Sequence, residues 1–173
     1  MNAATLGDPR SQREIWLLTG LAFFLPLFEA PKNLLWLAYL GLWGWHGMRG
    51  RGFGGAWRGV LSWDGVIALT LVLSLAGTAL SGIKANEWVG VRDLFRYLPL
   101  LWVLSRSEYS QAQWRTVLTG LVLGSVLATL WGCWVWWQSG VAEMGLHSVG
   151  HSNHSATYLC IVFAVALALA LVP

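Results

Sequence analysis

Apolar positions in this chain come as long, nearly unbroken runs separated by short polar stretches, not at the spacing of a one-sided helix or strand. A helix built from such a run is apolar all the way round, which lipid tolerates and water does not. Spanning a bilayer takes about 20 apolar residues, fewer where the flanks help. Six segments are expected to span: residues 15–28, 34–48, 66–83, 91–104, 116–137 and 155–170. The first carries Pro26, and the fifth is the cleanest. Residues 29–33, Glu-Ala-Pro-Lys-Asn, read as a tight turn. The first two segments are short, so they form either two spans, the expectation taken here, or a re-entrant hairpin. Residues 1–14 are polar and mixed in charge, and Phe28-Glu29-Ala30-Pro31 is a poor cleavage site, so the first helix is read as uncleaved. The predicted fold class is all-α: a polytopic membrane protein of about six transmembrane helices, one membrane region over residues 1–173.

Composition strengthens this picture. Hydrophobic residues make up 56% of the chain and charged residues 11%, against about 25% charged in an ordinary globular domain. A water-soluble domain needs a charged exterior that this chain cannot supply. Thirteen tryptophans are too many for a core, and Trp concentrates at the membrane–water boundary, where its ring and its N–H are both satisfied. Net charge is +3 without a clustered basic face, which excludes nucleic acid as a partner. Cys133 and Cys160 lie inside apolar runs and read as small buried hydrophobes.

Orientation follows from where the eleven Lys and Arg fall. With the N-terminus cytoplasmic, Arg10, Arg13, Arg49, Arg51, Arg58, Arg106 and Arg115 lie inside, and Lys32, Lys84, Arg92 and Arg96 outside. The excess inside favours this topology. On the fifth segment Gly120, Gly124, Ala128 and Gly132 recur every four residues, a smooth stripe that lets a neighbouring backbone approach closely. No internal repeat or low-complexity tract interrupts the pattern.

Three clusters carry candidate chemistry. In the first, Arg92 and Arg96 follow Lys84 and Glu87 and share one helical face a turn apart. Ionisable groups at the membrane boundary mark pathways and binding sites, and two guanidiniums suit the oxygens of a diphosphate. The alternatives are snorkelling to lipid headgroups or neutralisation by Asp93. The second is Gly145-Leu-His147-Ser-Val-Gly-His151-Ser-Asn153-His154-Ser-Ala156, in the expected exterior loop before the sixth helix. Ser152, Asn153 and Ser155 are capping residue types, and a helix start attracts anions. Glycan or phosphate binding, simple capping and metal ligation all remain open, with Glu143 the one acid nearby. The third, Trp131-Gly-Cys-Trp134-Val-Trp136-Trp137, is an aromatic belt or a shelf for stacking a ring. The Gly-rich basic segment at 49–58 has neither the Lys-Ser/Thr nor the context of a phosphate loop.

Residues 150–159, Gly-His-Ser-Asn-His-Ser-Ala-Thr-Tyr-Leu, resemble the Gly-Asn-Pro-Asn-x-x-Ala-x-Tyr-Leu pattern of the O-antigen ligase and polymerase superfamily. Gly150, Asn153, Ala156, Tyr158 and Leu159 agree; His151 and Ser152 replace Asn and Pro. The order of short hairpin, basic loop, charged start to the fourth span and long fifth span is also similar, so the resemblance covers most of the chain as an N-terminal part.

That resemblance implies a GT-C type glycosyltransferase of the bacterial inner membrane. Such an enzyme moves a glycan from undecaprenyl diphosphate to lipid A–core on the periplasmic side, among membrane lipids. It implies no metal, cofactor or nucleotide sugar, because the diphosphate carrier is already an activated leaving group. It places the catalytic His and Arg beyond residue 173, so no catalytic residue is assigned here. Lys84, Arg92, Arg96, His151, Asn153 and His154 are the candidate substrate-binding residues. A glycan polymerase or a protein O-oligosaccharyltransferase fits the same resemblance. Two readings of other classes stand beside it. The Trp-rich segment is superficially similar to that of haem-handling membrane proteins, but Gln138-Ser139 stands where those carry Trp-Asp. A solute transporter often shows paired halves, and none are visible.

Overall fold

The computed structural model describes residues 9–53, 62–81, 85–140, 145–149 and 152–171. Every regular element among them is a helix: α1 (Pro9–Phe24), α2 (Glu29–His46), α3 (Trp63–Leu80), α4 (Ala85–Arg106), α5 (Gln111–Ser139) and α6 (Ser152–Leu171). A five-residue π-helical turn, Gly47–Arg51, follows α2. Three helices, α3, α5 and α6, are long and apolar enough to cross a membrane. Only 22%, 33% and 11% of their apolar windows is buried inside the protein, so Leu73, Leu130 and Phe163 face outward. Apolar surface on that scale belongs against lipid. Trp114 near the start of α5 and Trp131 near its end bracket about 25 Å of helix at 1.5 Å per residue, close to a hydrocarbon core.

Helix ends depart from the expected limits for local reasons. α1 begins at Pro9 and stops at Phe24, because Pro26 offers no N–H and disfavours helical geometry at Leu25. The N–H groups of Leu27 and Phe28 both donate to the Phe24 carbonyl, at 3.1 and 3.2 Å, closing the turn. Residues 29–33, read as a turn, are instead the first turn of α2. Pro31 is tolerated there because the first N–H groups of a helix have no partner within it. α4 is 22 residues long, but Arg92, Asp93 and Arg96 charge its first half. α5 starts on a capping box, with Ser110 Oγ accepting from the Gln113 N–H and the Gln113 side chain accepting from the Ser110 N–H. It ends at Gly140, whose φ of +63° is a left-handed cap.

The described residues form two compact units, one from residues 1–42 with 109–173, the other from residues 43–108. In the first, α1 lies along α5. A Cβ on Gly120 would meet Thr19 Cγ2 at 2.8 Å, and one on Gly124 would fall on the Phe23 carbonyl, with the carbonyl carbon at 2.7 Å. Both contacts advance by four residues, so the two helices run in the same direction. Gly120, Gly124, Ala128 and Gly132 are all buried. On α6, Tyr158 places its hydroxyl 2.9 Å from Ser125 Oγ, which itself donates to the Leu121 carbonyl.

Glu14, expected in the polar leader, is instead 0% exposed on α1. Tyr109 Oη donates to its Oε2 at 3.0 Å, and Tyr39 Oη lies 2.9 Å from Tyr109 Oη. Cys133 and Cys160 are exposed rather than buried. An apolar run does not tell a cysteine which way to face when the surroundings of the helix are themselves apolar.

In the second unit α3 and α4 run antiparallel, because Asp64 at the start of α3 meets Arg106 at the end of α4. Arg106 Nη2 donates to Asp64 Oδ2 at 2.7 Å and Nε to Oδ1 at 3.3 Å. Trp102 Nε1 adds a bond to Oδ1 at 2.8 Å, and Arg106 Nη1 donates to the Phe53 carbonyl at 2.9 Å. The Arg106 guanidinium also lies 4.6 Å over the Trp102 ring. Trp43 packs between the rings of Phe53 and Trp102.

Candidate functional site

The polar surface best built for binding forms where residues 145–149 fold back onto the α1–α2 turn and the start of α6. Three local features make it. Pro26 ends α1 and leaves its carbonyl free, and Ser148 N–H donates to it at 3.4 Å. Lys32, one turn into α2, reaches back to Glu29 Oε1 at 2.8 Å and across to Ser148 Oγ at 2.9 Å. Leu146 is 1% exposed, and its N–H donates to Ser155 Oγ at 3.0 Å. The segment is therefore tied at both ends, to α2 by an ammonium and to α6 by a hydroxyl.

Charge and exposure at this surface are uneven. The Lys32 side chain is 9% exposed and Glu29 61%, so the cation is inside and the anion at the rim. A buried ammonium needs its bonds satisfied, and Lys32 finds three acceptors in Glu29 Oε1, Ser148 Oγ and the Ser148 carbonyl. His147 is exposed, its ring edge-on to Phe28 at 6.2 Å. Asn153 and His154 are exposed on the first turn of α6, where free N–H groups carry partial positive charge. An imidazole, a carboxamide, a second imidazole and a helix start together favour an anion or a hydroxyl-rich ligand. Among the described residues no group of three or more His, Cys, Asp or Glu side chains is placed to hold a metal ion.

The predicted site residues divide between the units. Asn153 and His154 belong to the unit just described. Arg92 and Arg96 belong to the other, a turn apart on α4. Arg92 is exposed and reaches Asp93 Oδ1 only at 3.8 Å, a loose pair between adjacent residues. Arg96 is half-buried. Lys84 and His151 lie outside the described residues. The Trp131, Trp134, Trp136 and Trp137 rings are all exposed, as a belt requires. Sequence reasoning missed Lys32 and Ser148 as partners. Glu29 and Lys32 at i and i+3 were the available signal, hidden because that stretch read as a turn. No protein family, characterised protein or solved structure matches the chain.

Proposed function

We propose that this chain is the N-terminal part of an O-antigen ligase-like glycosyltransferase of GT-C type. In this reading it crosses the bacterial inner membrane six times with its N-terminus cytoplasmic. It transfers a glycan from undecaprenyl diphosphate to lipid A–core at the periplasmic face. The observation that carries the reading is the position of the motif-like segment. Asn153, Ala156, Tyr158 and Leu159 open a helix of membrane-spanning length, directly after a loop strapped by Lys32 onto the α1–α2 turn.

The chemistry asked of such a site is modest. The acceptor hydroxyl oxygen bonds the sugar C1 as the C1–O bond to the diphosphate breaks. The hydroxyl proton passes to a base, and the diphosphate leaves with the electron pair. Positioning supplies much of the rate in such a step, and cationic donors stabilise the departing charge. Arg92 and Arg96 keep the role of phosphate contacts, and Asn153 and His154 that of glycan or phosphate contacts.

The test is made with the complete protein in cells lacking their own copy. Arg96→Ala and His154→Ala should each cut glycan-bearing lipopolysaccharide at least tenfold at normal protein level, with carrier-linked glycan accumulating. Wild-type lipopolysaccharide from both variants would end the assignment. Retention of single-repeat glycan on lipid A–core would turn the reading to a polymerase.

A further inference from the structure

Between α1 and α5 runs a cavity of about 550 Å³ that the proposed glycan chemistry does not use. Its walls include Trp16, Gly20 and Phe23 from α1 and Arg115, Thr119 and Leu123 from α5. Because the two helices run in the same direction, Trp16 and Arg115 share one mouth, and Phe23 and Leu123 lie at the other end. Gly120 also lines it, and marks where the two helices touch, since a Cβ there would meet Thr19.

We infer that this groove seats one anionic glycerophospholipid, an acyl chain along its apolar length and the phosphate at Arg115. Three observations bear on the occupant. The volume falls within that of pockets that enclose small organic ligands, roughly 300–1,000 Å³. No acid lines the groove, and Arg115 has no carboxylate partner among the described residues. Arg13, three residues before Trp16 and so on the same face of α1, is exposed and adds a second positive charge at that end.

A guanidinium takes phosphate oxygens through two parallel hydrogen bonds, and Trp16, 63% exposed, is suited to headgroup depth. Another protein helix would have to bring its own acid to this mouth. A phospholipid brings the charge and the chain together. With Arg115 and Arg13 at that end, no acid among the lining residues and Glu14 enclosed against Tyr109, a headgroup of net negative charge is preferred over a zwitterionic one.

The experiment uses the full chain purified in dodecyl maltoside and titrated with phosphatidylglycerol or phosphatidylcholine, with bound lipid read by native mass spectrometry. One phosphatidylglycerol should be held, with phosphatidylcholine on the order of tenfold weaker. Arg115→Gln should bring phosphatidylglycerol down to the phosphatidylcholine level. Thr119→Trp, which fills the groove without changing charge, should abolish retention of both lipids. Equal retention of the two lipids by the wild type, or lipid binding unmoved by Thr119→Trp, overturns the inference whether or not the Arg115 variant folds. A lipid-free dimer that Thr119→Trp splits overturns it in favour of a second copy of the chain. None of these readouts depends on glycan transfer, so the lipid site and the glycan reading fail separately.

Discussion

Asp64 and Arg106 have side chains only 2% and 4% exposed, with all three guanidinium nitrogens and both carboxylate oxygens hydrogen-bonded. A buried pair of this kind adds little over a well-packed apolar substitute, but breaking it leaves a charge without solvent or partner. Asp64→Ala should therefore destabilise the protein by about 3–5 kcal/mol, seen as a lower midpoint of thermal unfolding in detergent. The double variant Asp64→Ala, Arg106→Met should lose less than the sum of the single changes, with a coupling of about 1–3 kcal/mol. Additive losses would show that the two side chains do not depend on each other. In the sequence, Arg106 reads as one more cytoplasmic charge and Asp64 draws no attention. Nothing local to either residue announces a partner 42 positions away.

The helices themselves were largely legible, because each is written by its own residues. All six apolar segments are helices, and the four-residue stripe on α5 is buried as close packing demands. What shifted were the ends. Pro26 terminates α1 early, and residues 29–33 wind into α2 because a proline in a first turn costs a helix no hydrogen bond.

The stripe also makes a sharp prediction for α5. Gly124→Ala puts a methyl onto the Phe23 backbone, which cannot rotate away as a side chain end can. The expected cost is at least about 1–3 kcal/mol, the usual penalty of overpacking. Gly41→Ala on α2, where an added Cβ meets nothing within 4 Å, should be neutral or slightly stabilising. Thermal melts of the two variants check the contrast, and equal melting would mean that α1 and α5 do not pack through these glycines.

At the scale of the molecule, three helices among the described residues are long and apolar enough to cross a membrane, whereas the proposed topology has six crossings. The difference rests on α1, α2 and α4. Side-specific labelling decides it, in a chain whose Cys133 and Cys160 are replaced by Ser. Gln12→Cys and Glu108→Cys should react with an impermeant maleimide only from the cytoplasmic side, and Glu29→Cys and His147→Cys only from the other. If Gln12→Cys and Glu29→Cys react from one side, α1 and α2 form a re-entrant pair and the count falls.

The amino-acid sequence alone determined the solvent in which this protein lives and the helical character of its segments. Both depend on quantities that add up along the chain: apolar length, charge content and tryptophan placement. It also exposed the stripe on α5, since helical periodicity turns a four-residue spacing into one face. Only the tertiary structure decided that Lys32 straps the 145–149 loop, that Glu14 is enclosed beside Tyr109, and that α1 and α5 leave a groove with Arg115 at its mouth. Each of these joins side chains far apart in sequence. Apolar lipid surroundings give no outward pull to separate core from exterior, so pairing is set by polar bonds and close backbone contact, which appear only once the helices have met.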